Sequence, residues 1–242
     1  MTKARVVGVV GGSGGVGTSV LACAVAVRAA AADRTVLLLD GCRLGGGLDV
    51  LMGVEQEPGL RWPDLAAVRG QLDGSELLER LPLSHGVPVL SFDRGREGPL
   101  PHGPVQEVIA ASCVTAETVV VDLPSPADPL FQLLAGCADM VVLVCGRGVP
   151  ELAAASAKSP HVVAACEDVR LVVRTAGRGL EFADEVSEAL ELPLSGGLRD
   201  DPGLEADLLH GIPAGSRRRG PLVEMADHLL LQLVTEVRQV AS

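Results

Sequence analysis

The chain has 242 residues, 48% of them hydrophobic but only 2% aromatic, and a formal net charge of −11. That length suffices for one large domain whose core is built from Val, Leu and Ala rather than rings, and the acidic balance excludes a general nucleic-acid-binding surface. No apolar run reaches the ~18 residues needed to span a bilayer, and a strand-like run that starts at Arg5 and meets glycines at once does not read as a signal peptide, so a cytoplasmic protein is expected, with any membrane association peripheral. Cys23, Cys42, Cys113, Cys137, Cys145 and Cys166 are scattered without a C-x-x-C pair. They read as buried free thiols rather than metal ligands or a disulfide frame.

In chain order, short β-branched or leucine runs at 6–10, 35–40, 87–92, 118–122, 140–145, 169–174 and 193–198 predict strands. Between most of them lie Ala/Leu-rich stretches that predict helices at 19–31, 104–113, 126–135, 151–157 and 180–190, with 204–210 after the last strand. This alternation predicts an α/β fold of right-handed βαβ units: a mainly parallel sheet of about seven strands with helices on both faces. The longest irregular stretch, 45–73, reads as an excursion over the ligand edge of the sheet. In 222–240, Leu222, Ala226, Leu229, Leu230, Leu233, Val237 and Val240 fall at helical spacing. The polar face of that helix sets Glu224, Asp227 and Glu236 against Arg238, not the Lys/Arg face of a membrane-surface helix. It reads as packed on the body of the protein.

Residues 6–10 run into Gly11-Gly12-Ser13-Gly14-Gly15-Val16-Gly17-Thr18-Ser19 and then a helix. Strand, glycine loop and helix together form an anion site, because backbone N–H groups and the helix dipole converge there and glycine lets a phosphate approach the backbone. Two ligand classes fit. Gly12-x-Gly14-x-x-Gly17 matches the dinucleotide fingerprint, and Asp40 ends the second strand where a ribose-binding acid would sit. The same residues give Gly12-x-x-x-x-Gly17-Thr18-Ser19, a Walker A loop with Thr18 in the lysine position and Ser19 as the magnesium-side hydroxyl. The run at 118–122, ending in Asp122-Leu123-Pro124, has the form of a Walker B strand with a magnesium-side aspartate. A dehydrogenase does not need it, and no His/Asp or Tyr/Lys arrangement suits hydride transfer. The P-loop reading is preferred; a dinucleotide-binding Rossmann protein stays open.

On these residues the chain resembles the MinD/ParA family. Ser13-Gly14-Gly15-Val16-Gly17-Thr18-Ser19 is similar to its deviant Walker A motif, K-G-G-x-G-K-[ST]. More closely, the chain resembles actinobacterial CpaE-like, TadZ-related proteins, also described as septum site-determining. The segments that carry this are Leu44-Gly-Gly-Gly-Leu-Asp49, Leu60-Arg-Trp-Pro-Asp-Leu65, Ser91-Phe-Asp-Arg-Gly95, Leu171-Val-Val-Arg174 and Arg217-Arg-Arg-Gly-Pro-Leu222, taken in order. The resemblance implies one P-loop domain over 1–242, without the receiver-like domain that larger relatives carry before it. It implies a localisation or scaffolding role at the cell pole or septum, protein partners from a pilus-type (Tad/Flp) secretion or division apparatus, and a homodimer.

The resemblance also implies what the site has lost. A lysine at position 13 would reach across the dimer to the partner's phosphates, and one at position 18 would hold the β/γ-phosphates; the chain has Ser13 and Thr18. Of the two spaced aspartates after the second strand, Asp40 is kept and Cys42 replaces the catalytic one. Arg174 stands where an adenine-contacting Asn is usual. Lys3 and Lys158 are the only lysines; neither is expected at the loop, Lys3 because it precedes the first strand and Lys158 because nothing in the sequence places it there. Ser19, Asp40 and Asp122 would keep the magnesium side. ATP or ADP with Mg is therefore expected to bind weakly or not at all, with little or no hydrolysis.

Arg43, Arg94, Arg147, Arg174 and Arg199 each follow a strand's C-terminal end within about three residues, and in open α/β sheets those ends converge on the ligand crevice. Two readings stay open. Arg43, Arg147, Arg174 or Arg199 could form an anion clamp in place of the lysines, giving a slow ATP-gated dimerisation switch. Or the arginines pair with Asp40, Asp93, Asp122, Asp200 and Asp201. The cluster Arg217-Arg218-Arg219 reads as a solvated loop or as a docking patch for an acidic partner or membrane.

Overall fold

Side-chain alternation along the strands decides the architecture. In β1 (Arg5–Gly11), Val6 and Val10 enter one hydrophobic cluster and Val7 and Val9 the other. β2 (Val36–Asp40) and β5 (Thr118–Asp122) divide in the same way and are buried along their whole length. A sheet apolar on both faces must be covered on both. The computed structural model describes residues 4–68, 70–96, 98, 100–175 and 179–235. On one face lie α1 (Thr18–Ala31), α2 (Leu48–Leu51) and α10 (Pro221–Thr235). On the other lie α3 (Trp62–Leu65), α4 (Gly74–Glu79), α5 (His102–Thr115), α6 (Leu130–Ala135), α7 (Val149–Val163) and α8 (Leu180–Leu190).

The remaining elements are β3 (Leu83–Ser84), β4 (Val87–Leu90), β6 (Met140–Cys145), β7 (Val169–Arg174), β8 (Leu194–Leu198) and α9 (Leu204–Leu209). The strand order is β3-β4-β2-β5-β1-β6-β7-β8, parallel throughout except for β3–β4. β1 is therefore flanked by β5 and β6 and does not touch β2, unlike the 3-2-1-4-5-6 order of a dinucleotide-binding sheet. The seven expected strands are present, and β3 makes eight. It was missed because it is two residues long and its turn is His85-Gly86, with φ of 49° and 80°, rather than Asn-Gly or Asp-Gly.

The excursion at 45–73 does cross the C-terminal edge of the sheet. Leu48, Met52 and Val54 pack with the α1 face, whereas Trp62 and Leu65 pack with the opposite one. Trp62 fastens the crossing, its Nε1 donating to the Asp40 carbonyl at 2.7 Å. α7 runs past its expected end even though Pro160 sits inside it. The Ser156 carbonyl that Pro160 leaves without a donor accepts the Ser159 hydroxyl at 3.2 Å. In α10, Leu222, Ala226, Leu229, Leu230 and Leu233 are buried in the α1-face cluster, and Asp227 takes a forked bond from Arg28 at 2.7 and 3.1 Å. Its expected continuation through Val237 and Val240 lies outside the described residues. Among the described residues, no helix is long and apolar enough to cross a membrane.

None of the six cysteines is in a disulfide. Cys23, Cys145 and Cys166 are buried as expected, but Cys42 and Cys113 are half-buried and Cys137 is exposed.

Candidate nucleotide site

The loop joining β1 to α1 stands at the C-terminal edge of the parallel strands. Gly15 and Gly17 take φ of 77° and 90°, backbone that a side chain would strain. Gly17 caps α1 without any side-chain acceptor. No amide from Ser13 to Val20 donates a hydrogen bond to a described residue; the first to do so is Leu21, to the Gly17 carbonyl at 2.9 Å. Those unspent donors and the dipole of a 14-residue helix make the loop an anion pole. Its crest is open, since a Cβ at Gly14 or Gly15 would meet nothing within 4 Å. Its foot is tight: a Cβ at Gly12 would lie 2.7 Å from that of Ala155, and the Gly12 amide is already bonded to Val144 at 2.8 Å.

A cavity of about 720 Å³ opens above the loop. Of the residues expected to hold phosphate, Ser13, Gly14, Gly15, Gly17, Thr18 and Ser19 line it. Gly12 supports the loop from below, and Val16 is buried in the α1-face core. Asp122 also lines it, since β5 pairs with β1 in a register that sets Asp122 opposite Val9.

Asp122 is 1% exposed, and neither carboxylate oxygen has a hydrogen-bond partner of normal geometry. Burial pushes its pKa up to about 7; the nearby Ser19 hydroxyl opposes this and the Asp40 charge adds to it. A buried, unbonded carboxylate is the donor that a hard divalent cation takes. Asp122 with Ser19 therefore fits magnesium.

Asp40 lies opposite Asp122 in the β2–β5 register and is equally buried, but its carboxylate already accepts three hydrogen bonds. It accepts from Cys42 N at 2.9 Å, from Leu48 N, the first amide of α2, at 3.0 Å, and from Ser91 Oγ at 2.7 Å. Burial raises its pKa, and those three bonds pull it back. Cys42 donates its Sγ to the Leu123 carbonyl at 3.4 Å. Burial, then the charges of Asp122 and Asp40, raise its pKa far enough to keep the thiol protonated. Donor atoms of Asp40, Cys42 and Asp122 lie within 4.8 Å of one another, but Asp40 already accepts three hydrogen bonds and the Cys42 thiol is protonated, whereas Asp122 accepts none of normal geometry.

The arginines are mostly paired. Arg174 bonds Asp200, and Arg147 reaches the same carboxylate at 3.6 Å. Arg199 is 3.8 Å from Glu224, and Arg94 forks onto Asp49 at 2.9 Å on both arms. Arg174 nonetheless lies beside the loop, its Nη1 3.1 Å from where a Cβ on Gly17 would sit. Arg43 is exposed, lines the loop cavity and makes no ion pair among the described residues. Arg217, from the basic cluster, is held by Asp207 and by the Gly203 carbonyl.

One expectation is overturned. Lys158 is at the loop: it lines the same cavity, and its Nζ donates to the Gly11 carbonyl at 3.1 Å. Helix packing brings it there. The sequence signal was its spacing of three from Ala155, but that helps only once Ala155 is known to sit on Gly12. Lys3 lies outside the described residues.

No protein-family profile matches the chain. Over 225 residues it is 41% identical to the Mycobacterium tuberculosis H37Rv protein named Uncharacterized protein Rv3660c, a match covering 93% of this chain and 63% of that protein. The chain thus spans less than two thirds of that relative's length. Its fold is that of the cell division ATPase MinD of Pyrococcus furiosus (TM-score 0.76, 19% identity, 95% of this chain and 99% of that one). A ParA family ATPase of Chlorobium tepidum is similar in fold (TM-score 0.74, 17% identity, 94% and 98% covered). The fold also occurs in a Pyrococcus horikoshii septum site-determining MinD complexed with Mg-ADP and in the MinC:MinD cell division complex of Aquifex aeolicus.

Proposed function

We propose that this chain is a degenerate MinD/ParA-like protein, a CpaE- or TadZ-type localisation or scaffolding factor serving septum placement or a pilus-type secretion apparatus, that holds a nucleotide without turning it over efficiently. The observation that carries this reading is the state of position 42. A general base for water must be free and ionised near the operating pH. Cys42 is protonated and bonded to Leu123, and Asp40 beside it is locked by three hydrogen bonds. Neither can activate water, and Asp122, the unbonded carboxylate of the site, would be taken up by magnesium.

What remains is a binding site. Loop amides, Thr18 and Ser19 would take phosphate oxygens, and Asp122 with Ser19 would hold magnesium, which when bound neutralises phosphate charge. The Mg-ADP of one protein of this fold and the MinC partner of another support a Mg-nucleotide ligand and a protein partner here. Without a lysine at position 13 to reach across to a second copy, a trans-acting cation that stabilises the phosphoryl transition state is missing, worth about 10³–10⁵ in rate by analogy with arginine fingers.

Two experiments test this. Phosphate release from Mg-ATP should match that of a Gly15→Val chain; robust magnesium-dependent turnover by the unmodified protein overturns the reading. A fluorescent fusion should concentrate at a pole or septum; a uniform distribution contradicts the localisation role.

A further inference from the structure

Lys158 is the only lysine among the described residues, and it reaches the loop from a different helix than the one the loop opens. α7 follows β6, the strand paired with β1, and crosses the foot of the loop where Ala155 meets Gly12. Residues three apart on a helix share a face, so Lys158 leaves α7 one turn further on, toward the loop. Its ammonium reaches the Gly11 carbonyl at 3.1 Å. The Thr18 hydroxyl converges on the same residue, 2.6 Å from where a Cβ on Gly11 would sit. A positive charge from another helix thus ends beside the position that a Walker A loop gives to its phosphate lysine.

An ammonium has three donors, and Gly11 accepts one of them. Lys158 is half-buried and makes no ion pair among the described residues. The same cavity holds the undonated loop amides and Asp122, whose two oxygens are buried and unbonded. Buried polar groups are rarely left unsatisfied. An anion for the amides and the ammonium, carrying a divalent cation for the carboxylate, satisfies all of them together. A magnesium polyphosphate has that composition.

We propose that Lys158 is the phosphate-binding cation of this site, supplied from α7 within the same chain in place of a lysine at position 18, and that the ligand is a nucleoside di- or triphosphate with its divalent cation. The inference rests on the reading of the loop as a nucleotide site. Because the cation and the loop belong to one chain, binding needs no second copy.

The test is calorimetric titration of the full chain with ATP, ADP, inorganic pyrophosphate and NAD, each with magnesium, for the unmodified protein, Lys158→Met and Lys158→Arg. Apo melting curves and sedimentation accompany it. The unmodified monomer should bind ATP and ADP, Lys158→Met should weaken both by about ten- to a hundredfold, and Lys158→Arg should retain most of the affinity. Equal affinities for unmodified and Lys158→Met chains would overturn the proposal, with a lowered apo melting temperature then showing that Lys158 only ties α7 to the loop. Absence of binding at millimolar ligand, tighter binding of NAD than of ADP, or binding seen only in a dimer would overturn it as well. Rapid ATP turnover would instead sink the scaffolding reading and leave this one standing.

Discussion

Asp40 and Asp122 end neighbouring strands in register, and each is 1% exposed, yet they are opposites. Asp40 accepts three hydrogen bonds and holds the start of α2, Ser91 and the Cys42 amide together. Asp122 accepts none of normal geometry and faces a cavity shared with the loop amides and Lys158. Position and burial therefore do not assign a role to a strand-end acid; its partners do. Asp40 is part of the framework, and Asp122 is a buried carboxylate left without a hydrogen-bond partner of normal geometry at the edge of the cavity.

The sharpest way to break this contrast is to remove each carboxylate. Asp40→Ala leaves the Leu48 and Cys42 amides and the Ser91 hydroxyl short of an acceptor, and each such buried loss costs about 1–3 kcal/mol. We expect urea denaturation to show a loss of at least about 3 kcal/mol. Asp122→Asn should be neutral or stabilising at pH 8 in the absence of ligand, because it deletes an unpaired buried charge. Equal destabilisation by both variants would erase the distinction.

The pH dependence follows from the raised pKa of Asp122, about 7. Between the ordinary carboxylate range and that value, the folded chain keeps a proton that the unfolded chain has released. Stability is then full at low pH and is lost as pH rises through about 7, by a few kcal/mol. Melting temperatures between pH 5 and pH 8 should fall accordingly. Asp122→Asn should flatten most of the slope; a residue remains, because the Asp40 pKa is raised too. An unchanged slope in Asp122→Asn would show that Asp122 is already paired.

Cys42→Asp adds a third carboxylate beside those of Asp40 and Asp122, in a cluster whose donor atoms lie within 4.8 Å of one another. We expect a loss of about 1–3 kcal/mol at neutral pH, reduced by magnesium. A stabilised variant would mean that the acids are better screened than the geometry indicates. The smallest effect belongs to the arginine-rich edge. Arg147 is an exposed partner of Asp200 at 3.6 Å, so Arg147→Ala should change stability by less than about 1 kcal/mol.

Much of this was legible in the sequence. Aliphatic runs ending in Gly11, Asp40 and Asp122 named the strands, and glycine spacing named the loop, because both signals are local. The long-range features were not legible. Asp40 differs from Asp122 through Ser91, 51 residues away, and through an amide in the excursion. Lys158 reaches Gly11 across 147 residues because α7 packs on Gly12. The pairing of Arg94 with Asp49 rather than with an adjacent acid depends on where the excursion folds back. Each is a consequence of packing, which periodicity predicts only as a buried face.

Equilibrium titration of the unmodified chain with ADP, with and without magnesium, decides whether this edge binds a magnesium nucleotide. We expect weak saturable binding that magnesium strengthens and that Asp122→Asn renders insensitive to magnesium. No heat and no thermal stabilisation at millimolar ADP, with or without the metal, would contradict it.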